Sequence, residues 1–272
     1  MKTRIIVAVI AVPILFAIIL FAPVWALGAM VGIIAACCAW EFLRCADKTV
    51  DRRSLCYAAA AGFAIPLATS LGVGLSGLCA IVFALFALLF CEIMLSFRSG
   101  EPKNIEIVMN GLVAGAVMPL LISGIVRLGL RDNGRFLVLL PFLIAFSCDS
   151  GAYFAGSFLG KHKMTPHLSP HKTIEGAVGG LLSAVVILVI YGLVLKAMHF
   201  EVKLAVMAAY GLLGAIACEL GDLGFSAVKR LRGVKDYGTL IPGHGGMLDR
   251  FDSMFWTAAM TEALVTWVCA IS

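Results

Sequence analysis

Charged residues are scarce in this chain: Asp, Glu, Lys and Arg make up 14% of its 272 residues. About a quarter is usual in a soluble domain. A soluble fold of this length cannot bury the 61% of residues that are hydrophobic, because much of its surface stays in water. The scarcity therefore excludes a soluble enzyme, a disordered chain and a nucleic-acid-binding module, and it favours a polytopic membrane protein.

Cysteine pairs typical of metal sites are also missing. None of the nine cysteines forms a CxxC pair or a Cys/His zinc spacing, and most lie inside apolar runs as small buried side chains. Low-complexity tracts, internal repeats and stretches long enough for a soluble domain are absent too. We therefore predict a single integral membrane domain over 1–272, with N-terminal spans in 1–130 and the chemistry in the spans and loops of 136–272.

Apolar runs are what the chain has in abundance, and a transmembrane helix needs about 20 such residues. The runs predict an all-α fold with about nine spans. The first is longer than the apolar region of a signal peptide, so we expect it to remain as a span. The predicted spans are 5–22, 24–43, 54–72, 75–96, 107–126, 136–158, 175–195, 203–224 and 254–271.

Lys and Arg are distributed unevenly between alternate loops. With the N-terminus in the cytoplasm, 16 of the 21 fall on the cytoplasmic side. Cytoplasmic loops of membrane proteins carry an excess of Lys and Arg. The count predicts a cytoplasmic N-terminus and an outside C-terminus, with the loops after the sixth and eighth spans in the cytoplasm.

Polar residues cluster first at the end of the sixth span. Asp149, Tyr153, Gly156 and Gly160 recur at helical spacing and share one helix face. The run 169–173, Ser-Pro-His-Lys-Thr, offers hydroxyls, an ammonium and a helix start, which together suit an anion. Two plainer interpretations stay open: a small-residue packing stripe for the first group, and ordinary helix caps for the second.

A second, denser region begins in the eighth span. Glu219, Asp222, Ser226 and Lys229 form one polar stripe on a helix. Such a stripe is costly in an apolar span unless it faces a water-filled cavity. Residues 226–252 hold eight of the 37 charged residues.

A basic cluster opens the following segment, and a pair of acidic residues closes it. The basic cluster Lys229, Arg230, Arg232 and Lys235 precedes His244-Gly245-Gly246, and Asp249 and Asp252 open the last span. Carboxylates beside basic residues and exposed glycine backbone suit Mg²⁺ with phosphates. The alternative is a juxtamembrane basic loop with capping Asp residues. His244 is either a substrate contact or a turn residue.

Residues 226–252 carry a family resemblance. Their sequence, SAVKRLRGVKDYGTLIPGHGGMLDRFD, resembles the signature of phosphatidate cytidylyltransferases, also called CDP-diacylglycerol synthases. The segments 149–153 and 169–176 resemble the same family, except that His171 stands where Lys or Asn is expected. The matching signature positions are Ser226, Lys229, Arg230, Lys235, Asp236, Gly238, Pro242, His244, Gly245, Gly246, Asp249, Arg250 and Asp252.

The resemblance implies that CMP passes from CTP to phosphatidic acid, giving CDP-diacylglycerol and pyrophosphate. It implies Mg²⁺, with scope for a second metal ion, at Asp222, Asp249 and Asp252. Catalysis is assigned to these three residues with Lys229 and Arg230. Substrate binding is assigned to Asp149, Tyr153, Ser169, Lys172, Thr173, Ser226, Lys235, His244, Gly245 and Gly246.

The same resemblance places the chain in a bacterial-type inner membrane, with its active site facing the cytoplasm and no nucleic-acid partner. A stripe of small residues, Gly176, Gly179, Gly180 and Ser183, permits helix packing within the chain or in a homodimer.

Three alternatives accompany this interpretation. A secondary transporter or channel also has polar residues in broken helices, but usually at span centres. A related enzyme could act on an isoprenoid lipid. An intramembrane protease would need a second Asp motif beside Leu220-Gly221-Asp222, and none is visible.

Overall fold

The computed structural model describes residues 13, 16–47, 50–98, 103–240 and 245–271. The first predicted span, 5–22, is described only in part, and its residues 16–21 are helical. The predicted substrate contact His244 lies outside the described residues.

Helices occupy each predicted span from 24–43 onward. Within the described residues, six segments are long and apolar enough to cross a membrane, which confirms an all-α membrane protein, while the count of nine remains a prediction. The helices are α1 Val24–Ala46, α2 Arg52–Ser70, α3 Leu75–Arg98, α4 Glu106–Leu112, α5 Met118–Ile122, α6 Gly124–Gly129, α7 Gly134–Leu159, α8 Ile174–Ala197, α9 Leu204–Leu231 and α10 Leu248–Trp267.

The fifth predicted span is interrupted, although we expected one continuous helix over 107–126. A π-helical turn, Val113–Val117, separates α4 from α5. Pro119 follows it and has no N–H to donate to a carbonyl in the preceding turn, which explains the local change in winding. Ser123 then donates its hydroxyl to the Pro119 carbonyl at 2.6 Å, at the junction of α5 and α6.

A β-hairpin between α7 and α8 is a departure from helix that bears on the site. Strands β1, Lys163–Thr165, and β2, Ser169–Thr173, pair antiparallel. Thr173 ends β2 and caps α8, since its side-chain oxygen accepts the N–H of Gly176 at 3.1 Å. The cap interpretation of this threonine is therefore confirmed, and the hairpin itself was not predicted.

The chain forms two compact units. The first contains the chain up to Leu130 together with Leu231–Phe251, and the second contains Arg131–Arg230 with the residues from Asp252 onward. The segment 231–251 thus belongs to the first unit, and the division of the chain into 1–130 and 136–272 stays a prediction. The core of the first unit includes Ile65, Leu85 and Leu89.

Close packing of α7 on α8 organises the second unit. A Cβ added at Gly151 would lie 2.9 Å from the Gly179 carbonyl, and one at Gly180 would lie 2.9 Å from the Cys148 carbonyl. Only glycine allows this approach. The small-residue stripe of α8 therefore contacts α7 of the same chain, and it gives no support for a homodimer.

Candidate active site

A polar cavity of about 500 Å³ lies in the second unit, at the end of α7 and beside the hairpin. Asp149, Tyr153 and Gly156 of α7 line it together, as their helical spacing predicts. Gly160 lies just beyond the end of α7, as its C-cap. The other lining residues come from β2, α8 and α9, and they include Lys172, Thr173, Gly176, Glu219 and Asp222.

Lys172 is the central charge of this cavity. Its ammonium lies 2.7 Å from Glu219 Oε2 and 2.7 Å from Asp222 Oδ2. Burial opposes the charge on Lys172, but the carboxylates of Asp222 and Glu219 outweigh that effect and hold the pKa of the ammonium above its usual value. Lys172 is therefore a permanent cation that β2 places against one face of α9.

Two further carboxylates lie near this ion pair. Asp149 receives a long contact from the thiol of Cys218, at 3.9 Å. Asp252 is 9% exposed, accepts the N–H of Ser253 at 2.8 Å, and interacts electrostatically with Asp222, Asp149 and Lys229. Lys229 is itself 9% exposed. The second unit thus concentrates four carboxyl groups around two buried or half-buried lysines.

Other predicted residues take local positions around the cavity. Ser226 donates its hydroxyl to Asp222 Oδ1 at 3.3 Å, one turn along α9. Arg230 is exposed and donates from Nε to the carbonyl of Leu168 at 3.2 Å, which ties the end of α9 to the hairpin turn. Ser169 lies on β2, three residues before Lys172. The predicted polar stripe of α9 therefore belongs to a cluster of hydrogen-bonded and ion-paired side chains.

The signature loop belongs to the first unit, with Lys235, Gly245, Gly246 and Asp249. Asp249 Oδ2 accepts two backbone N–H groups, from Tyr237 at 2.9 Å and from Gly246 at 3.0 Å. Gly245 has a φ of +85°, a conformation that a residue with a Cβ rarely adopts. The glycines thus fold the loop back onto Asp249, and the Gly246 amide faces this carboxylate.

Two glutamates, one in each unit, had no assigned role. Glu219 appears in the predicted polar stripe, and the structure makes it a partner of Lys172. Glu41 accepts the N–H groups of Met247 at 3.0 Å and Leu248 at 2.8 Å, within the first unit. Its signal in the sequence is a carboxylate in the apolar run 24–43, where a charge is costly without a partner.

The contacts of the Lys172 ammonium indicate how the surrounding side chains would accommodate a positive ion. Within the described ranges, no group of three or more His, Cys, Asp or Glu side chains is arranged to hold a metal ion. Glu219 and Asp222 nevertheless stabilise a positive charge between them, and oxygen ligands are those that Mg²⁺ prefers. Glu219 and Asp222 therefore hold the ammonium of Lys172, and a metal ion beside them is a proposal.

Comparison with known proteins gives consistent results. Phosphatidate cytidylyltransferases from Staphylococcus haemolyticus, Staphylococcus aureus and Staphylococcus epidermidis are 38%, 39% and 42% identical to this chain over 135 residues. Each match covers 50% of this chain and 51% of the relative, so the chain spans about half the length of the curated relatives it matches. Residues 2–268 match the Cytidylyltransferase family. The chain therefore belongs to the Cytidylyltransferase family, as its signature predicted.

Proposed function

We propose that this protein transfers CMP from CTP to phosphatidate, releasing pyrophosphate and leaving CDP-diacylglycerol in the membrane. The observation that carries the proposal is the pairing of Lys172 with Glu219 and Asp222 in a polar cavity between apolar helices. A lipid phosphate needs an enzyme embedded in the bilayer, and a triphosphate needs cations. Family membership and the names of the relatives support the same reaction.

The chemistry is an in-line displacement at the α-phosphorus of CTP. A phosphate oxygen of phosphatidate forms the new P–O bond, and the bond to the β-phosphate breaks as pyrophosphate leaves. The lipid phosphate is anionic near neutral pH, so the step needs no strong general base. What the protein supplies is positioning and neutralisation of charge, the usual contributions in such transfers.

Several positively charged side chains can neutralise the charge of the substrate phosphates. Lys172 is held in the cavity by its two carboxylates, Lys229 is buried beside Asp252, and Arg230 is exposed at the hairpin. We assign these three to phosphate groups of the substrates, with Lys235 as a contact from the signature loop. Ser169, Thr173, Ser226, Tyr153 and the glycines Gly245 and Gly246 keep their predicted roles in substrate binding.

Mg²⁺ is the proposed metal, with Asp222 and Asp252 as ligands in the second unit and Asp249 assigned from the signature. When bound, the ion would neutralise the triphosphate and polarise the α-phosphate for attack. A second metal ion belongs to the same proposal. Two observations support the proposed metal site. Carboxylates are in excess around Asp222, and they stabilise the positive charge of the Lys172 ammonium.

The proposed membrane arrangement follows the charge count. Nine spans with a cytoplasmic N-terminus would put the loops after the sixth and eighth spans, and hence the polar cavity, on the cytoplasmic side of a bacterial plasma membrane. CTP is soluble and would arrive from that side. A homodimer is a separate prediction, and the small-residue stripe of α8 does not contribute to it.

The test is a reconstituted assay with the purified full chain, CTP labelled at its α-phosphorus, Mg²⁺ and a panel of lipid phosphates. We expect label in CDP-diacylglycerol only when phosphatidate is present. Transfer to an isoprenoid phosphate alone would favour the related enzyme. Absence of any lipid-dependent release of pyrophosphate in detergent would contradict an enzyme and favour a transporter.

A further inference from the structure

Among the described residues just before α10, no side chain caps the start of this helix. A helix leaves its first backbone N–H groups without partners in the helix, and Ser, Thr, Asn or Asp just before the helix normally accepts one of them. The residues before Leu248 are Gly245, Gly246 and Met247, and none of their side chains offers an acceptor of that kind.

Glu41 of α1 supplies the missing acceptors from 206 positions earlier in the chain. Its Oε1 accepts the N–H of Met247 at 3.0 Å, and its Oε2 accepts the N–H of Leu248 at 2.8 Å. A carboxylate at a helix start is also favoured by the helix dipole. Glu41 therefore caps a helix to which it is not connected in sequence.

The loop is shaped around this carboxylate. A Cβ added at Gly238 or at Gly246 would collide with the side chain of Glu41. Glu41 is 7% exposed, so its charge is enclosed by α1 and by the loop that it holds. The two glycines of the signature therefore provide the space for Glu41 as well as the bend of the chain.

The same loop holds Asp249 by a second set of bonds. Tyr237 and Gly246 donate their N–H groups to Asp249 Oδ2, while Met247 and Leu248 donate theirs to Glu41. Two carboxylates thus share four backbone donors along one short segment. Since Asp249 follows Leu248 directly, a change in the bond from Leu248 to Glu41 moves the backbone that carries Asp249.

We propose that Glu41 is a positioning residue, which holds the backbone of Met247 and Leu248 and thereby sets the orientation of Asp249. The inference rests on the proposed cytidylyltransferase function, in which Asp249 takes part. Removal of partners that orient a functional ligand typically lowers activity by about 10- to 100-fold. We expect Glu41→Ala to lower kcat by that factor and to change each KM far less.

Glu92→Gln is the matched control. Glu92 is also 7% exposed, also lies on an apolar helix of the first unit, and pairs with Lys103 at 3.1 Å and with the Tyr57 hydroxyl at 3.3 Å. Its removal should lower the thermal midpoint and leave kcat and the KM values close to those of the parent protein. Glu41→Gln, which keeps one acceptor oxygen for one of the two amides, should fall between Glu41→Ala and the parent.

Hydrogen exchange gives a readout that does not depend on activity. The amides of the segment 245–249 should exchange faster in Glu41→Ala and at the parent rate in Glu92→Gln. Unchanged exchange in Glu41→Ala, or an equal loss of kcat in both variants, would overturn the proposal. If the parent protein makes no CDP-diacylglycerol but the exchange result holds, the proposed function fails and the capping by Glu41 stands.

Discussion

Lys172 Nζ lies 2.7 Å from Asp222 Oδ2, so a short strand outside the helices supplies the counter-charge for a carboxylate on α9. The pair joins the two polar regions of the sequence, which are 50 residues apart. Together they place a permanent cation among carboxylates, in a cavity of about 500 Å³.

The stability that Lys172 contributes should not depend on pH in the weakly alkaline range. Its pKa is raised in the folded protein, so its contribution is complete below the unfolded lysine pKa of about 10.4 and is lost only as the pH rises through the higher folded value. We expect Lys172→Met to unfold at a lower temperature, by a margin that stays constant from about pH 8 to about pH 9. Thermal unfolding in detergent measures the margin. A margin that has already shrunk at the alkaline end of this range would contradict the raised pKa.

Asp222→Asn tests the metal. Loss of this carboxylate should lower kcat by at least about 100-fold, the scale seen when one strong electrostatic contributor to a transition state is removed. It should also weaken binding of Mn²⁺, used as a spectroscopic substitute for Mg²⁺. The control is Asp132→Asn, since Asp132 is an exposed carboxylate in the connection between α6 and α7. Equal activity of the two variants would remove Asp222 from the metal site.

Asp249→Asn separates the structural role of this residue from its charge. The hydrogen bonds from Tyr237 and Gly246 both go to a single oxygen of Asp249, which the side-chain carbonyl of Asn can replace. We therefore expect Asp249→Asn to keep the loop folded but to lose turnover by about 100-fold or more. Asp249→Ala should lose both the folded loop and the turnover. Amide exchange of the loop and kcat, measured on both variants, distinguish the two effects, and near-parent turnover in Asp249→Asn would exclude a metal role.

Gly151→Ala tests the packing beneath the cavity. The new methyl group would meet Ser183 and the Gly179 carbonyl on α8, and overpacking of this kind costs about 1–3 kcal/mol. Gly224→Ala is the matched control, because a Cβ at Gly224 has no neighbour within 4 Å and Ala favours a helix. We expect a lower thermal midpoint for the first variant and an equal or higher one for the second. The reverse order would show that α7 does not pack on α8 as described.

Local sequence patterns, such as apolar runs and helical spacing, explain which parts of this fold could be predicted. Apolar runs predict the helices because a span of about 20 residues must satisfy its own backbone hydrogen bonds in lipid. Asp149, Tyr153 and Gly156 share a helix face by spacing alone, and they do line one cavity. The polar stripe that starts at Glu219 was recognised for the same reason.

The parts that were missed depend on contacts between distant residues. Strands of three and five residues within a polar loop have too little pattern to predict. Pro119 was visible in the sequence, but its effect depends on the π-helical turn before it. Glu41 stands alone in an apolar run, and its partners are more than 200 positions away, so no local pattern connects them. The family signature covers one side of that contact only.

The hairpin has a consequence for depth in the membrane. A two-stranded sheet has two open edges, and unpaired backbone groups of that kind are not tolerated against hydrocarbon. We therefore expect the strand that carries Lys172 to avoid contact with hydrocarbon, either at the level of the lipid headgroups or beside a water-filled cavity. At the headgroup level the ammonium would keep contact with water. A diacyl lipid lying in its ordinary position would present its phosphate at that level, and its chains would not have to leave the hydrocarbon layer.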